Sequence, residues 1–112
     1  MATYLLQLSY TPSAWAALVS NPQDRFEVVR RPIEKLGGKH LHGWLAFGED
    51  DVIAIVDMPD NVAVAALAMA FNAGGACKNV RTTPLISIQE GIAAMKKAAE
   101  CGYKPAQKAA SA

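Results

Sequence analysis

Cysteine and histidine are scarce in this chain, with two of each among 112 residues. Cys77 and Cys101 lie far apart and follow no metal-binding or redox spacing. That excludes a zinc-finger framework and a dithiol motif, and leaves two free thiols of a reducing, cytoplasmic setting as the expectation. Charge is sparse too. Charged side chains make up 19% of the chain and sum to a formal +1. Nucleic acid and anionic membrane surfaces are therefore not expected partners. No apolar run approaches the ~20 residues needed to span a bilayer. The stretch around Val52–Val56 is broken by Asp57, Pro59 and Asp60. The opening Met1-Ala2-Thr3-Tyr4 lacks the basic region of a signal peptide. Gly74-Gly75 is not followed by the Lys and Ser/Thr pair of a phosphate loop, and no nucleophile elbow, Rossmann fingerprint or internal repeat occurs.

What is present is apolar patterning, with 52% hydrophobic residues. That balance suits one globular domain and argues against disorder. Tyr4, Leu6, Leu8 and Tyr10 alternate with Leu5, Gln7 and Ser9, the period-two signature of a strand. Thr11-Pro12 has the chemistry of a helix start, for a short helix carrying Trp15, Leu18 and Val19. Asn21-Pro22 restarts the chain with the same cap chemistry, and from Asp24 the residues Phe26, Val29, Ile33 and Leu36 recur at helical spacing. Pro32 lies inside that pattern and is expected to kink it; Gly37-Gly38 ends it. Lys39–Phe47 and Val52–Asp57 read as strands joined by a polar turn, hence an antiparallel hairpin.

Asp60 then caps a helix over about Asn61–Phe71 that carries no charged side chain. Asn79–Ser87 reads as a fourth strand, with Pro84 suited to an edge. Gln89–Glu100 reads as a last helix. Residues 1–100 form the expected domain, and 101–112 a flexible tail. The order β-α-β-β-α-β plus a C-terminal helix predicts an α+β, ferredoxin-like fold: a four-stranded antiparallel sheet with helices on one face.

Both faces of that sheet carry large apolar groups, and the uncharged helix needs cover on more than one side. The expectation is a homodimer or larger assembly with sheets face to face. The alternative is that the C-terminal helix covers the excess within one chain; one helix does not easily cover both surfaces.

His40 and His42, at i and i+2 on a strand, are expected to share one face, continued by Trp44. Two imidazoles on a cavity wall can move protons or hold a metal, with Glu49, Asp50 or Asp51 as a third ligand. Two partly exposed histidines are the plainer reading. Glu49, Asp50 and Asp51 can raise one another's pKa, but read more simply as a solvated turn. Arg81 can fork onto an anionic ligand or pair with an acid of the hairpin. Together Gln7, Ser9, His40, His42, Trp44, Thr83 and Arg81 are candidates for a mixed polar and aromatic pocket between sheets, rimmed by Tyr10 and Trp15.

Several segments resemble the GYD domain family: Tyr4–Thr11, Glu34–Lys39, the hairpin Phe47–Asp60 and Asn79–Thr82. The likeness covers roughly residues 3–90. At the signature hairpin Gly48, Glu49 and Asp51 follow the family pattern, whereas Asp50 stands where a tyrosine is expected. The resemblance implies a dimeric α/β-barrel type of ferredoxin-like domain and implies little about activity. Three functions stay open. The first is an oligomeric small-molecule-binding domain. The second is a cofactor-free or metal-assisted oxygenase or isomerase. The third is an accessory subunit docking through the uncharged helix. The absence of a complete catalytic set favours the first; no cofactor or substrate is named by the residues.

Overall fold

The computed structural model describes residues 1–106. Part of the expected tail, 107–112, lies outside them. The described chain runs β1 (Ala2–Tyr10), α1 (Pro12–Ser20), α2 (Arg25–Lys35), β2 (Lys39–Leu45), β3 (Val52–Met58), α3 (Asn61–Ala73), β4 (Cys77–Leu85) and α4 (Ile88–Glu100). The strands form one antiparallel sheet in the order β2-β3-β1-β4, the ferredoxin-like arrangement. Pro84 sits on β4, an edge strand, where a missing donor costs least.

Caps fix the helix starts. The Thr11 hydroxyl accepts from the Ala14 N–H, Asp24 from Phe26, Asp60 from Ala63 and Ser87 from Glu90. Each satisfies a backbone donor that the first turn leaves unpaired. Asp24, not Asn21, caps α2. Pro32 lies inside α2 without ending it.

Strand alternation sends Tyr4, Leu6, Leu8, Val52, Ala54, Val56 and Met58 to the helix side. Ile33 of α2 and Val64 and Leu67 of α3 close on them, completing the core. Leu5, Ile53 and Ile55 point the other way and are half-buried on the open face.

β2 contains an irregularity that the alternation does not announce. His40 pairs with Val56, but His42 pairs with Ile55, so Leu41 is an extra residue, a β-bulge. An unbulged strand keeps residues i and i+2 on one face; here the extra residue reverses them. His40 therefore shares the helix side with Val56, whereas His42 and Trp44 share the open face with Ile55 and Ile53. The expectation that His40, His42 and Trp44 form one row is corrected: only His42 and Trp44 do, their rings stacked at 5.8 Å.

α4 is well capped, with reciprocal hydrogen bonds between Ser87 and Glu90. Among the described residues no other element packs along it, and Ile88, Ile92 and Met95 are exposed. The radius of gyration, 18.9 Å, exceeds the ~13 Å of a compact chain of this length. α4 thus covers neither surface of its own sheet.

Two glycines admit no side chain. A Cβ at Gly38 would lie 2.3 Å from Met58 Sδ and 2.7 Å from the Asp57 carbonyl oxygen. At Gly43 it would lie 2.4 Å from the Phe26 ring. Because the Asp57 carbonyl belongs to a central strand, it cannot yield. Gly38→Ala is expected to destabilise the fold by about 1–3 kcal/mol, read as a lower urea midpoint at unchanged m-value.

Candidate functional site

The two faces of the sheet carry two different sites. On the open face, cross-strand neighbours form the row Trp44, Ile53, Gln7, Arg81, with His42, Ile55, Leu5 and Thr83 beside it. Six of the pocket candidates, Gln7, Ser9, His42, Trp44, Thr83 and Arg81, thus share one face. His40 does not. Trp44 and Arg81 sit on opposite edge strands, about 14 Å apart at three strand spacings, so the row is a surface and not a closed pocket.

At the Arg81 end the turn between β2 and β3 folds inward. Asp50 is only 7% exposed. Its Oδ2 accepts hydrogen bonds from the Arg81 guanidinium and, at 3.3 Å, from Gln7 Nε2. Arg81 therefore takes the structural of its two expected roles, pairing with an acid of the hairpin. Asp50 Oδ1 is buried without a partner. Ser9 is buried as well, and its hydroxyl donates to the Glu49 carbonyl at 3.2 Å.

The next residue works on the opposite side. Asp51 Oδ2 accepts from the Tyr10 N–H at 2.8 Å and from Trp15 Nε1 at 3.3 Å. The Asp51 N–H donates to the Leu8 carbonyl, and its own carbonyl accepts from Ala46. The three carboxylates are not the solvated turn that the sequence suggests: Glu49 is exposed, Asp51 half-buried and Asp50 buried. Composition gave no hint of this, because acid next to glycine is also what a wet turn looks like. Arg81 was the usable signal, as a strand arginine in need of a counter-charge.

The second site was missed in the sequence. Between the sheet and helices α1, α2 and α3 lies a cavity of about 860 Å³. Leu6, Leu8, Val52, Ala54 and Val56 form its floor; Trp15, Leu18, Phe26, Val29 and Phe71 stand round it. Tyr10 meets Trp15 edge to face at 5.3 Å. The large cavity is thus on the helix side, not on the open face where a pocket between sheets was expected. Of the pocket candidates His40 reaches its wall, as do Tyr10 and Trp15, the two residues expected at the rim.

Three titratable groups at this wall, His40, Tyr10 and Cys77, are biased towards their neutral forms. Burial pushes the His40 imidazole below its usual value of 6.5, aided by the positive Arg30 and by His42; a backbone hydrogen bond at His42 and the Asp24 charge oppose this. Its ring stacks on Phe26 at 4.9 Å, and its Nε2 is buried without a partner. Burial raises the Tyr10 phenol, with Cys77 and Asp51 adding to the effect and Arg25 opposing it. Burial also raises the Cys77 thiol, again against Arg25. Cys77 and Cys101 are both free.

A shared metal is not supported by this geometry. The bulge places His40 and His42 on opposite faces, and among the described residues no three His, Cys, Asp or Glu side chains cluster as ligands. No helix among the described residues is long and apolar enough to cross a membrane.

These features define a small ferredoxin-like α+β domain with an apolar cavity on the helix side of its sheet. The sequence model of the GYD domain matches residues 4–98, and the chain belongs to the GYD domain family. No curated protein matches it.

Two outcomes follow from the site's electrostatics. In an NMR titration the His40 imidazole is expected to have its midpoint below 6.5. The unfolded chain then takes up that proton first. Stability tied to neutral His40 is present above pH 6.5 and is lost as pH falls from 6.5 towards the native midpoint. A His40→Phe chain should lose less over that interval in urea unfolding, and equal losses would contradict the assignment. For the ion pair, Arg81→Met leaves the buried Asp50 carboxylate uncompensated. Water partly replaces Arg81, whose side chain is 46% exposed, so the expected cost is about 1–3 kcal/mol. Adding Asp50→Leu should restore part of it, since removing both charges is milder than stranding one; urea midpoints of the four chains close the cycle.

Proposed function

We propose that this GYD domain works as an oligomer that takes a small, largely apolar molecule into the cavity between its helices and its sheet. The observation that carries the reading is the cavity of about 860 Å³. Small-molecule sites of ~300–1,000 Å³ are typically apolar and aromatic with a few placed polar groups. Here the walls are mostly Leu, Val, Phe and Trp; His40, Tyr10 and Cys77 are among the polar groups, and Gln23, Asp24 and Arg25 also border it. His40, Tyr10 and Cys77 are biased towards their uncharged forms. A lining so largely apolar favours a largely apolar guest, because most of it offers an ion nothing in return for its hydration.

Self-association accounts for the apolar surface that the chain leaves uncovered. Leu5, Ile53, Ile55 and Trp44 on the open face suit a second sheet, and α4 is without cover. The partner is a second copy of this chain, in a cytoplasmic, reducing setting that suits two free thiols. Catalysis is a second reading with one observation in its favour, the buried and unpartnered His40 Nε2.

The test is binding of 1-naphthol, measured by isothermal titration calorimetry. Ala70 also lines the cavity, and Ala70→Trp fills part of it. Wild-type protein is expected to bind one naphthol per chain, and Ala70→Trp to bind at least about tenfold more weakly at an unchanged melting temperature. Equal binding by the two chains would place the ligand elsewhere. Native mass spectrometry of the same protein reads the oligomer directly, and a monomer would remove that part of the reading.

A further inference from the structure

Among the described residues one helix stripe is apolar and without a partner, and a second helix borders an uncharged groove. On α4, Ile88, Ile92, Met95 and Ala99 recur at intervals of four, three and four residues. Ile88, Ile92 and Met95 are large and exposed, and among the described residues no other element packs along them. A helix of 13 residues is marginal alone in water, since isolated helices below ~12–15 residues rarely hold. Its capping box helps the start of the helix and does nothing for the stripe.

On α3, Asn61, Ala65, Ala68 and Asn72 line a groove of about 380 Å³, walled on the far side by Thr82 and Pro84 of β4. Read backwards from Asn72, these residues recur at the same four, three and four. Val62 and Met69, on the same helix, are exposed. α3 carries no charge, so nothing along it repels an apolar neighbour.

We propose that α4 of one copy lies antiparallel in the groove between α3 and β4 of a second copy, and that the exchange is reciprocal. The inference rests on the oligomeric part of the reading above. Matched spacing sets Ile92 against Ala68 and Met95 against Ala65, large side chains over small ones, which lets two helices approach to ~8–10 Å. Antiparallel alignment also opposes the helix dipoles. It brings the last turn of α4, with Lys96 and Lys97 against the single acid Glu100, towards Asp60 at the start of α3. Two reciprocal contacts close the assembly at a dimer, as a two-fold axis requires.

The experiment uses the full chain with Cys77 and Cys101 replaced by serine. One variant adds Ala65→Cys, the other Met95→Cys. The two are mixed and oxidised, and the mass is read without reductant. A covalent heterodimer is expected, and its absence overturns the exchange. If both cysteines are placed in one chain, oxidation of a diluted sample at monomer mass would mean that α4 folds back on its own α3, which also overturns it. As an independent readout, Ile92→Glu is expected to weaken dimerisation at least about tenfold, because it buries a charge without a partner. Its circular dichroism should lose no more helix signal than the 13 residues of α4 carry, with the sheet and the other helices kept, since α4 supports no other element. A dimer held by the sheet faces alone would show unchanged affinity with Ile92→Glu and no cross-link, which defeats this interface and leaves the oligomer standing. A wild-type monomer defeats both, and naphthol binding is read separately.

Discussion

Two adjacent carboxylates hold the two sides of this sheet together. Asp50 turns to the open face and pairs with Arg81 and Gln7. Asp51 turns towards the helices and receives Tyr10 and Trp15. Successive residues of extended chain point to opposite faces, so a short acidic turn can serve both. One residue ties the hairpin to the edge strand β4; the other ties it to the end of β1 and to α1. The wall of the cavity at Trp15 and the charge balance at Arg81 therefore depend on the same turn. At the first of these positions the arginine opposite supplies the charge that the buried carboxylate needs.

Much of the fold was legible because periodicity is a direct record of burial. The alternation of Tyr4, Leu6 and Leu8, and that of Val52, Ala54 and Val56, marks the two central strands and their core face. Caps at Thr11 and Asp60 and the glycine pair at Gly37-Gly38 mark helix ends, whereas the cap of α2 falls on Asp24 and not on Asn21. What stayed hidden depends on register between distant strands. Leu41 looks like any strand residue, and only its pairing with β3 makes it a bulge. With it went the placement of His40. The cavity was hidden for a related reason: a void is a property of how helices sit on a sheet, and no residue pattern names it. The same residues, Phe26, Val29 and Leu67, would have read as core had the helices packed more tightly.

Each face has its own division of labour. The helix side holds the volume and the neutral polar groups, and the open face holds the charge pair and the aromatic row of His42 and Trp44. The bulge at Leu41 separates them by sending the one imidazole inward and the other outward. The stack of His40 on Phe26 in turn needs Gly43, because a side chain at that position would occupy the Phe26 ring. Local choices in one short strand thus set which chemistry each face can offer.

The sheet order has a consequence for how the chain reaches this state. Of the three strand pairings, only β2 with β3 joins neighbours in sequence; β1 pairs with β3 and β4, which follow it by roughly fifty to eighty residues. Long-range pairing must close its loops before any contact rewards them, so folding of such topologies is slow relative to helical bundles. Within this domain β1 precedes both of its partners and waits at the centre of the sheet for β4. Until β4 pairs, Leu5, Leu6 and Leu8 have an unpaired edge beside them, and the domain is open to misassembly at that stage.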